Sequence, residues 1–331
     1  MNFGKPSLSL LMTVFNAEAY LASSIESIEN QTFTDWEFLI VDDASTDHSL
    51  AIAESYAQKD SRIKIIRNAV NKGQTRCLNQ GLAEARGALI ARQDADDLSH
   101  PARLEKQWRR FQQEPTLVLL GTCGEMIDQA DRLVGLLDVP LTQEVITWSA
   151  AIKNPFLHTS VMFRADEVRA LGGYDEYYQI AQDYDLWTRM MRQHRVANLP
   201  ERLIRYRHLA SSLSKSGKSK AFQEANEIAE REEKNSFGCE LLPQERSLIR
   251  AFREGVGVNQ QKLFQLFKNL QQPLPPASQY DRQRLEAIYH LQGAGTKNQN
   301  RCDQLRVVII AFFTAPFYTM RWLKNRFCPF T

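Results

Sequence analysis

Residues 7 to 124 predict an α/β fold with a mostly parallel central sheet flanked by helices. Three observations carry this expectation. Apolar runs alternate with segments of helical spacing in a βαβα order. The apolar runs are continuous, the pattern of strands covered on both faces. Two acidic clusters, "VDD" and "DADD", fall where such strands end, the edge at which open α/β sheets hold their ligands.

Each element follows in order. "LSLLMTV" (8–14) is a buried strand, and 17–31 is a helix with Tyr20, Leu21, Ile25 and Ile28 on one face. "WEFLIVDD" (36–43) is the second strand, and Ser45 is the expected N-cap of the next helix. "RIKIIRN" is a short strand, and "GQTRCLNQGLAEARG" a helix closed by Gly87. "ALIARQ" (88–93) is a strand, Pro101 opens the helix "PARLEKQWRRFQQE", and "TLVLLGTC" is a further strand. Within 125–215, "RLVGLL" and "SVMFR" are strands and "QDYDLWTRMMRQ" is a helix. The Ser/Lys/Gly-rich stretch 211–220 has no apolar periodicity and is expected to be a loop that closes over a ligand. The remainder, 216–331, is expected to be a helical C-terminal region, with "QQPLPPAS" splitting it.

Composition narrows the class. The 331 residues, 43% hydrophobic, suffice for one large domain with an appendage or two modest domains. Lys+Arg 41 and Asp+Glu 39 nearly cancel, so charge names no partner, and no nucleic-acid partner is expected. Five scattered cysteines without C-x-x-C, and six histidines without paired spacing, argue against a disulfide framework and a zinc site. They fit a reducing, cytoplasmic compartment. The opening residues read as a first strand and not as a secretory signal. "VVIIAFFTAPFYTM" (307–320) is too short to span a bilayer. Segment 305–328, in which Arg and Lys flank the apolar stretch 307–320, is either an interfacial helix at the inner membrane face or a helix packed on the protein or a second subunit.

The candidate chemistry sits at strand ends. Asp94 and Asp96 form a D-x-D after a buried strand. Carboxylates there suit Mg2+ or Mn2+ held together with substrate phosphates, or they belong to a solvated turn in which Asp97 or Ser99 caps the following helix. Asp43 faces the N–H groups of a nucleobase or caps the helix after it. Phe15 beside it offers a flat face for a base or packs in the core, and Thr13 and Asn16 end the same strand. Arg76, following Gly73, reaches a nucleotide or lies on the helix surface. Asp183 serves as a general base or complements the dipole of the helix it enters. His158 and His208 are ligands or structural.

Taken together, the segments "SLLMTVFNAEAYLASSIESIENQTFTDWEFLIVDDASTD", "NKGQTRCLNQGLAEARGALIARQDADDLSHPARLEKQ", "NPFLHTSVMFRADEVRALGGYDEYYQIAQDYDLWTRM" and "YRHLASSLS" resemble glycosyltransferase family 2 in order and spacing. The similarity covers about 5–215. It implies the Rossmann-like GT-A fold over 1–215, with a nucleotide-sugar half at 1–124 and an acceptor half at 125–215. It also implies an inverting transfer from a nucleotide-diphospho-sugar, a UDP-sugar first of all, to a saccharide or lipid-linked acceptor in cell-surface polysaccharide or glycolipid biosynthesis. By the same resemblance Thr13, Phe15 and Asn16 line the base pocket and Asp43 contacts the base edge. Gly73 and Arg76 belong to the donor site, Asp94 lies near the nucleoside, Asp96 ligates Mn2+ or Mg2+, and Asp183 is the catalytic base. His158 and His208 stand near the diphosphate or acceptor. Gln182 replaces the family's usual acidic residue before the base. Processive members carry Q-x-x-R-W; here the nearest string is "YTMRW", with Tyr318 for Gln, so a single addition is expected.

Other classes fit less well. A non-catalytic nucleotide-sugar or carbohydrate-binding module would not need both Asp96 and Asp183. A nucleotidyltransferase needs a glycine-rich phosphate loop after the first strand, where "VFNAEAY" has no glycine. A dinucleotide oxidoreductase needs G-x-G-x-x-G.

Overall fold

The computed structural model describes residues 5–209 and 218–237, and the isolated positions 247 and 249. The "QQPLPPAS" turn, the segment 305–328, most of the loop 211–220 and the boundary expected near 215 lie outside these residues. The chain divides into two compact units, Met1–Leu137 with Phe156–Glu224, and Asp138–Pro155 with Ala225–Thr331.

The first unit is built on a nine-stranded sheet. Its strands are β1 (Leu8–Val14), β2 (Trp36–Asp42), β3 (Ile63–Arg67), β4 (Leu89–Arg92), β5 (Leu98–Ser99), β6 (Leu117–Ile127), β7 (Leu133–Leu137), β8 (Met162–Arg164) and β9 (Arg195–Arg207). The order is β3-β2-β1-β4-β8-β6-β9-β5, with β7 paired to β6. The first four strands run parallel, as expected from their crossover helices. β8 is antiparallel to both β4 and β6, and β6 runs parallel to β9.

The helices are α1 (Leu21–Glu29), α2 (Ser49–Lys59), α3 (Gln74–Glu84), α4 (Arg103–Gln113), α6 (Ala165–Ala170) and α7 (Gln182–Met191), with α5 (Gln143–Ser149) in the second unit and α8 (Lys218–Phe237) passing from the first unit into the second. Leu21, Ile25 and Ile28 of α1 and Leu104 and Phe111 of α4 pack with Leu8, Leu10, Phe38 and Ile40 of β1 and β2 in one core. Burying side chains of this size stabilises by about 1.5–3 kcal/mol each. Leu11 points to the opposite face, where α3 lies so close that a Cβ on Gly81 would fall 2.1 Å from Leu11 Cδ1.

Several local expectations need correction. Ser45 does not cap α2, which starts at Ser49. Instead Asp47 Oδ1 accepts the Ser49 N–H at 2.9 Å, and Ser45 Oγ accepts from Asn16 N–H at 3.2 Å. Gly87 does not terminate α3, which ends at Glu84 on an extended Ala85. Gly87 serves close approach: a Cβ there would stand 2.4 Å from Ser9 N. Pro101 lies two residues before α4, and Ala102 is the N-cap.

Candidate active site

The parallel strands β1, β2 and β3 end level, and β4 ends three residues short of them. Val14 of β1 is level with Asp42 of β2, and Leu11 of β1 with Arg92 of β4. The loops leaving β1, β2 and β4 therefore share one edge of the sheet.

Asp43 follows β2 and is 3% exposed. Its Oδ1 accepts from Lys72 N–H at 2.8 Å and Asn68 Nδ2 at 3.0 Å, and its Oδ2 accepts from Gly73 N–H at 2.8 Å. Burial alone would push this carboxyl up, but the Lys72 N–H and the other donors outweigh it and hold the group below its usual range. Asp43 thus ties the end of β2 to the loop entering α3. Gly73 permits that loop, because its φ of +89° lies where side chains are strained. Asp43 does not cap α2.

Thr13 is half-buried and Phe15 is 50% exposed, so Phe15 is not a core residue. Asn16 has φ +50° and its Oδ1 accepts the Thr46 N–H at 2.8 Å, joining the first two strand-end loops. Arg76 is exposed and pairs with Glu176 at 2.9 Å.

The D-x-D loop is the most charged part of this edge. Asp94 Oδ1 faces Arg92 Nη2, and Asp94 N–H donates to Thr159 Oγ1 at 3.1 Å. Asp96 is half-buried. Burial and the charge of Asp94 push its carboxyl up to about 6, against its own N–H and the more distant Arg207 and Arg92. No other donor among the described residues bonds its side chain. Asp97 is not a helix cap. It is 1% exposed, and its Oδ1 accepts the Arg207 N–H of β9 at 2.7 Å. Burial and the charges of Asp96 and Asp94 raise it well above the usual carboxylate range. Ser99 does not cap α4 either; its hydroxyl donates to Gln93 Oε1 at 2.7 Å.

Three arginines that sequence reasoning missed surround these acids. Arg92, Arg103 and Arg207 are 0%, 0% and 1% exposed. Arg103 donates to Gln93 Oε1 at 3.0 Å and Ser99 Oγ at 2.7 Å. Arg207 donates to the Asp96 carbonyl at 2.9 Å, pairs with Asp131 at 2.7 Å and lies over the Tyr20 ring at 4.2 Å. The signal available in the sequence was a charged residue inside a run that otherwise reads as buried strand, "ALIARQ". A buried charge is rare unless paired.

His158 begins a short 3-10 turn, His158–Ser160. Its Nε2 lies 3.2 Å from Arg92 Nε and 3.3 Å from the Tyr174 hydroxyl. Burial, with the Arg92 charge, lowers its pKa to about 3. Asp183 sits in the first turn of α7, 9% exposed, and its Oδ1 accepts the Tyr184 N–H at 2.7 Å. Tyr174 feels both acidic centres: burial raises its hydroxyl, the Arg92 charge lowers it, and the charges of Asp183 and Asp94 raise it. Trp187, one turn beyond Asp183, packs against the rings of His158 and Tyr174. Gln182 donates to Gln74 Oε1 at 3.1 Å. Asp185 faces away and pairs with Arg189 at 2.8 Å. His208 is exposed just after β9, its N–H on the Ile127 carbonyl at 2.8 Å. The structure therefore brings Asp94, Asp96, His158 and Asp183 around one strand edge, and turns Arg76 to a partner that was not foreseen.

The acidic turn after β4 lies at the carboxyl edge of the parallel strands, where open α/β sheets hold their ligands. Comparison with known proteins makes this specific. The family model described as Glycosyl transferase family 2 matches residues 9–139. EpsE of Bacillus subtilis, assigned as a glycosyltransferase, is 40% identical over 211 residues, 62% of this chain and 74% of EpsE. The amylovoran biosynthesis glycosyltransferase AmsE of Erwinia amylovora is 35% identical over 205 residues, 60% of this chain and 75% of AmsE. The O-antigen biosynthesis glycosyltransferase WbnJ of Escherichia coli is 33% identical over 214 residues, 63% of this chain and 82% of WbnJ. The chain belongs to glycosyl transferase family 2 and is a glycosyltransferase. Its fold is GT-A. Staphylococcus aureus TarS 1–349 in complex with UDP-GlcNAc superposes with a TM-score of 0.57 at 17% identity, covering 96% of this chain and 92% of that one. The mannosyltransferase PcManGT of Pyrobaculum calidifontis, in complex with GDP-Man and Mn2+, gives 0.53 at 15% identity, covering 97% and 84%. Among the described residues no helix is long and apolar enough to cross a membrane.

Proposed function

We propose that the protein is an inverting, metal-dependent, non-processive glycosyltransferase that moves a sugar from a nucleotide-diphospho-sugar to an acceptor hydroxyl in polysaccharide biosynthesis. The observation that supports this best is Asp96. Burial and the charge of Asp94 push its carboxyl up to about 6 at the carboxyl edge of the sheet, an arrangement that a bound cation would relieve. The names of AmsE and WbnJ, glycosyltransferases of amylovoran and O-antigen biosynthesis, support the pathway class. The UDP-GlcNAc and GDP-Man bound by TarS and PcManGT support a nucleotide-sugar donor, with a UDP-sugar as the first choice.

The residues fit Mn2+ or Mg2+. Asp96, with Asp94 beside it, supplies hard oxygen donors, and the diphosphate and water would complete the set. Such a cation, when bound, neutralises charge growing on the leaving diphosphate. The chain's own residues do the rest. Thr13, Phe15, Asn16 and Asp43 frame the base, with the exposed Phe15 ring as the stacking face. Gly73 and Arg76 border the donor, and His208 the acceptor side. Asp183, held by the Tyr184 N–H, removes the acceptor proton as the hydroxyl attacks the anomeric carbon from the face opposite the diphosphate. A single displacement inverts the configuration.

A thermal-shift and transfer screen of UDP-, GDP- and dTDP-sugars with and without Mn2+ tests the reading. Stabilisation by one nucleotide class only when Mn2+ is present is the expected result. No stabilisation by any of them would overturn it. Donor binding without transfer to any saccharide or lipid-linked acceptor would favour a binding module.

A further inference from the structure

An arginine side chain has only donors. Arg92 Nε lies 3.2 Å from His158 Nε2, so Nε2 must be the bare, accepting nitrogen and the ring proton must sit on Nδ1. The arginine has little freedom to do otherwise. It is fully buried, and its Nη1 donates to the carbonyls of Leu11 at 2.7 Å and Gln93 at 2.5 Å, one on β1 and one just past β4. Its Nη2 faces Asp94. The turn carrying His158 is tied to the same loop a second time, through Thr159 Oγ1 and the Asp94 N–H. The ring is braced on its other sides by Tyr174 and Trp187.

His158 Nδ1 is left over. No described residue accepts its proton, and His158 is only partly buried. An Nδ1–H with no partner among the described residues is available as a donor to a ligand oxygen. We propose that Arg92 is a positioning residue that locks His158 in the Nδ1–H tautomer, so that His158 presents a neutral donor to an oxygen of the bound nucleotide-diphospho-sugar. The donor contact rests on the functional reading above; the tautomer lock does not. The arrangement gives the D-x-D loop and His158 one common anchor, so that the carboxylates and the N–H donor stay in register beside each other.

The test has two arms. Long-range nitrogen–proton NMR on the full-length 15N-labelled protein, without ligand, reads the His158 tautomer, assigned by the signal lost in His158→Asn. The expected spectrum shows Nδ1–H in the wild type and a shift to Nε2–H or a mixture in Arg92→Lys, whose ammonium cannot hold Asp94 and His158 together. Nε2–H in the wild type, or an unchanged tautomer in Arg92→Lys, would overturn the lock. The second arm does not depend on Arg92 variants folding. Asn places its amide N–H where Nδ1 was, whereas Gln reaches the Nε2 position. His158→Asn should bind the donor identified in the screen within about threefold of wild type, and His158→Gln about tenfold more weakly, the loss of roughly one hydrogen bond. Equal losses, or the reverse order, would overturn the donor contact. If no nucleotide-sugar binds the wild type, the functional reading falls while the NMR arm still decides the lock.

Discussion

Two carboxylates of this sheet have opposite fates. Glu37, near the start of β2, has a side chain only 3% exposed, yet it is fully compensated: Lys64 Nζ and Arg86 lie at 2.8 Å and Ser9 Oγ donates at 2.8 Å. Burial would raise its pKa, but these donors, Lys64 first, drive it down to about 2. Asp96, beyond β4, meets burial and a like charge instead, and is pushed up to about 6. Both acids sit at strand ends of one sheet. Glu37 lies at the amino end, where the protein completes its own charge balance, and Asp96 at the carboxyl end, where no described residue donates to its side chain beyond its own N–H. An unbalanced acid is a pointer to a site where a balanced one is not.

The largest effect should come from the site itself. Asp183→Asn should lower transfer by about 10²–10⁴-fold while leaving donor binding within a few-fold, the loss typical of a general base. Turnover close to wild type would remove Asp183 from that role. Next, Asp96→Ala should abolish Mn2+-dependent donor binding by calorimetry, whereas Glu37→Gln should leave it unchanged. If both variants, or neither, lost it, the contrast between the two carboxylates would not be one of function.

The sequence makes one half of this comparison easy to see. β1, β2, β3 and β4 are continuous apolar runs between helices, so their order and parallel pairing follow from pattern. D-x-D and Asp183 stand out because acids follow such runs. The rest is hidden for physical reasons. β9 carries no strand pattern in the sequence, because "RVANLPERLIRYR" holds four arginines, a glutamate and Pro200. It forms because long pairing with β6 tolerates the irregularity, with register shifts around Thr122 and Cys123. β5 has two residues, too few for any periodicity. Arg103 and Arg207 look like surface charges until tertiary partners bury them, and Asp97 looks like a cap until β9 closes over it. Glu37 has the same character. Its partners Lys64 and Arg86 come from β3 and the segment before β4, a pairing that only the sheet order creates.

A smaller effect concerns stability. Glu37→Gln should cost about 1–3 kcal/mol at neutral pH, because it weakens charge-assisted bonds to two partly exposed cations and one buried hydroxyl. The sign with pH follows from its lowered pKa. The contribution is fully present above the ordinary glutamate value of about 4.5 and is lost as pH falls from there toward about 2. Urea midpoints of wild type and Glu37→Gln should therefore converge on acidification through that window. Parallel curves down to pH 3 would mean that packing, and not charge, explains the difference.

The smallest predicted effect has the opposite sign and separates the two acids most directly. Asp96→Asn keeps the shape of the side chain but removes a charge that sits half-buried beside Asp94. With EDTA present at neutral pH the variant should be more stable than wild type by about 1 kcal/mol, a discounted figure for a carboxyl whose ionised form is disfavoured. Adding Mn2+ with the nucleotide diphosphate should reverse the order, because only the wild type gains from binding. Glu37→Gln should lose stability under both conditions. Were Asp96→Asn also destabilising in EDTA, Arg207 and Arg92 would already balance Asp96, and its strand end would resemble that of Glu37.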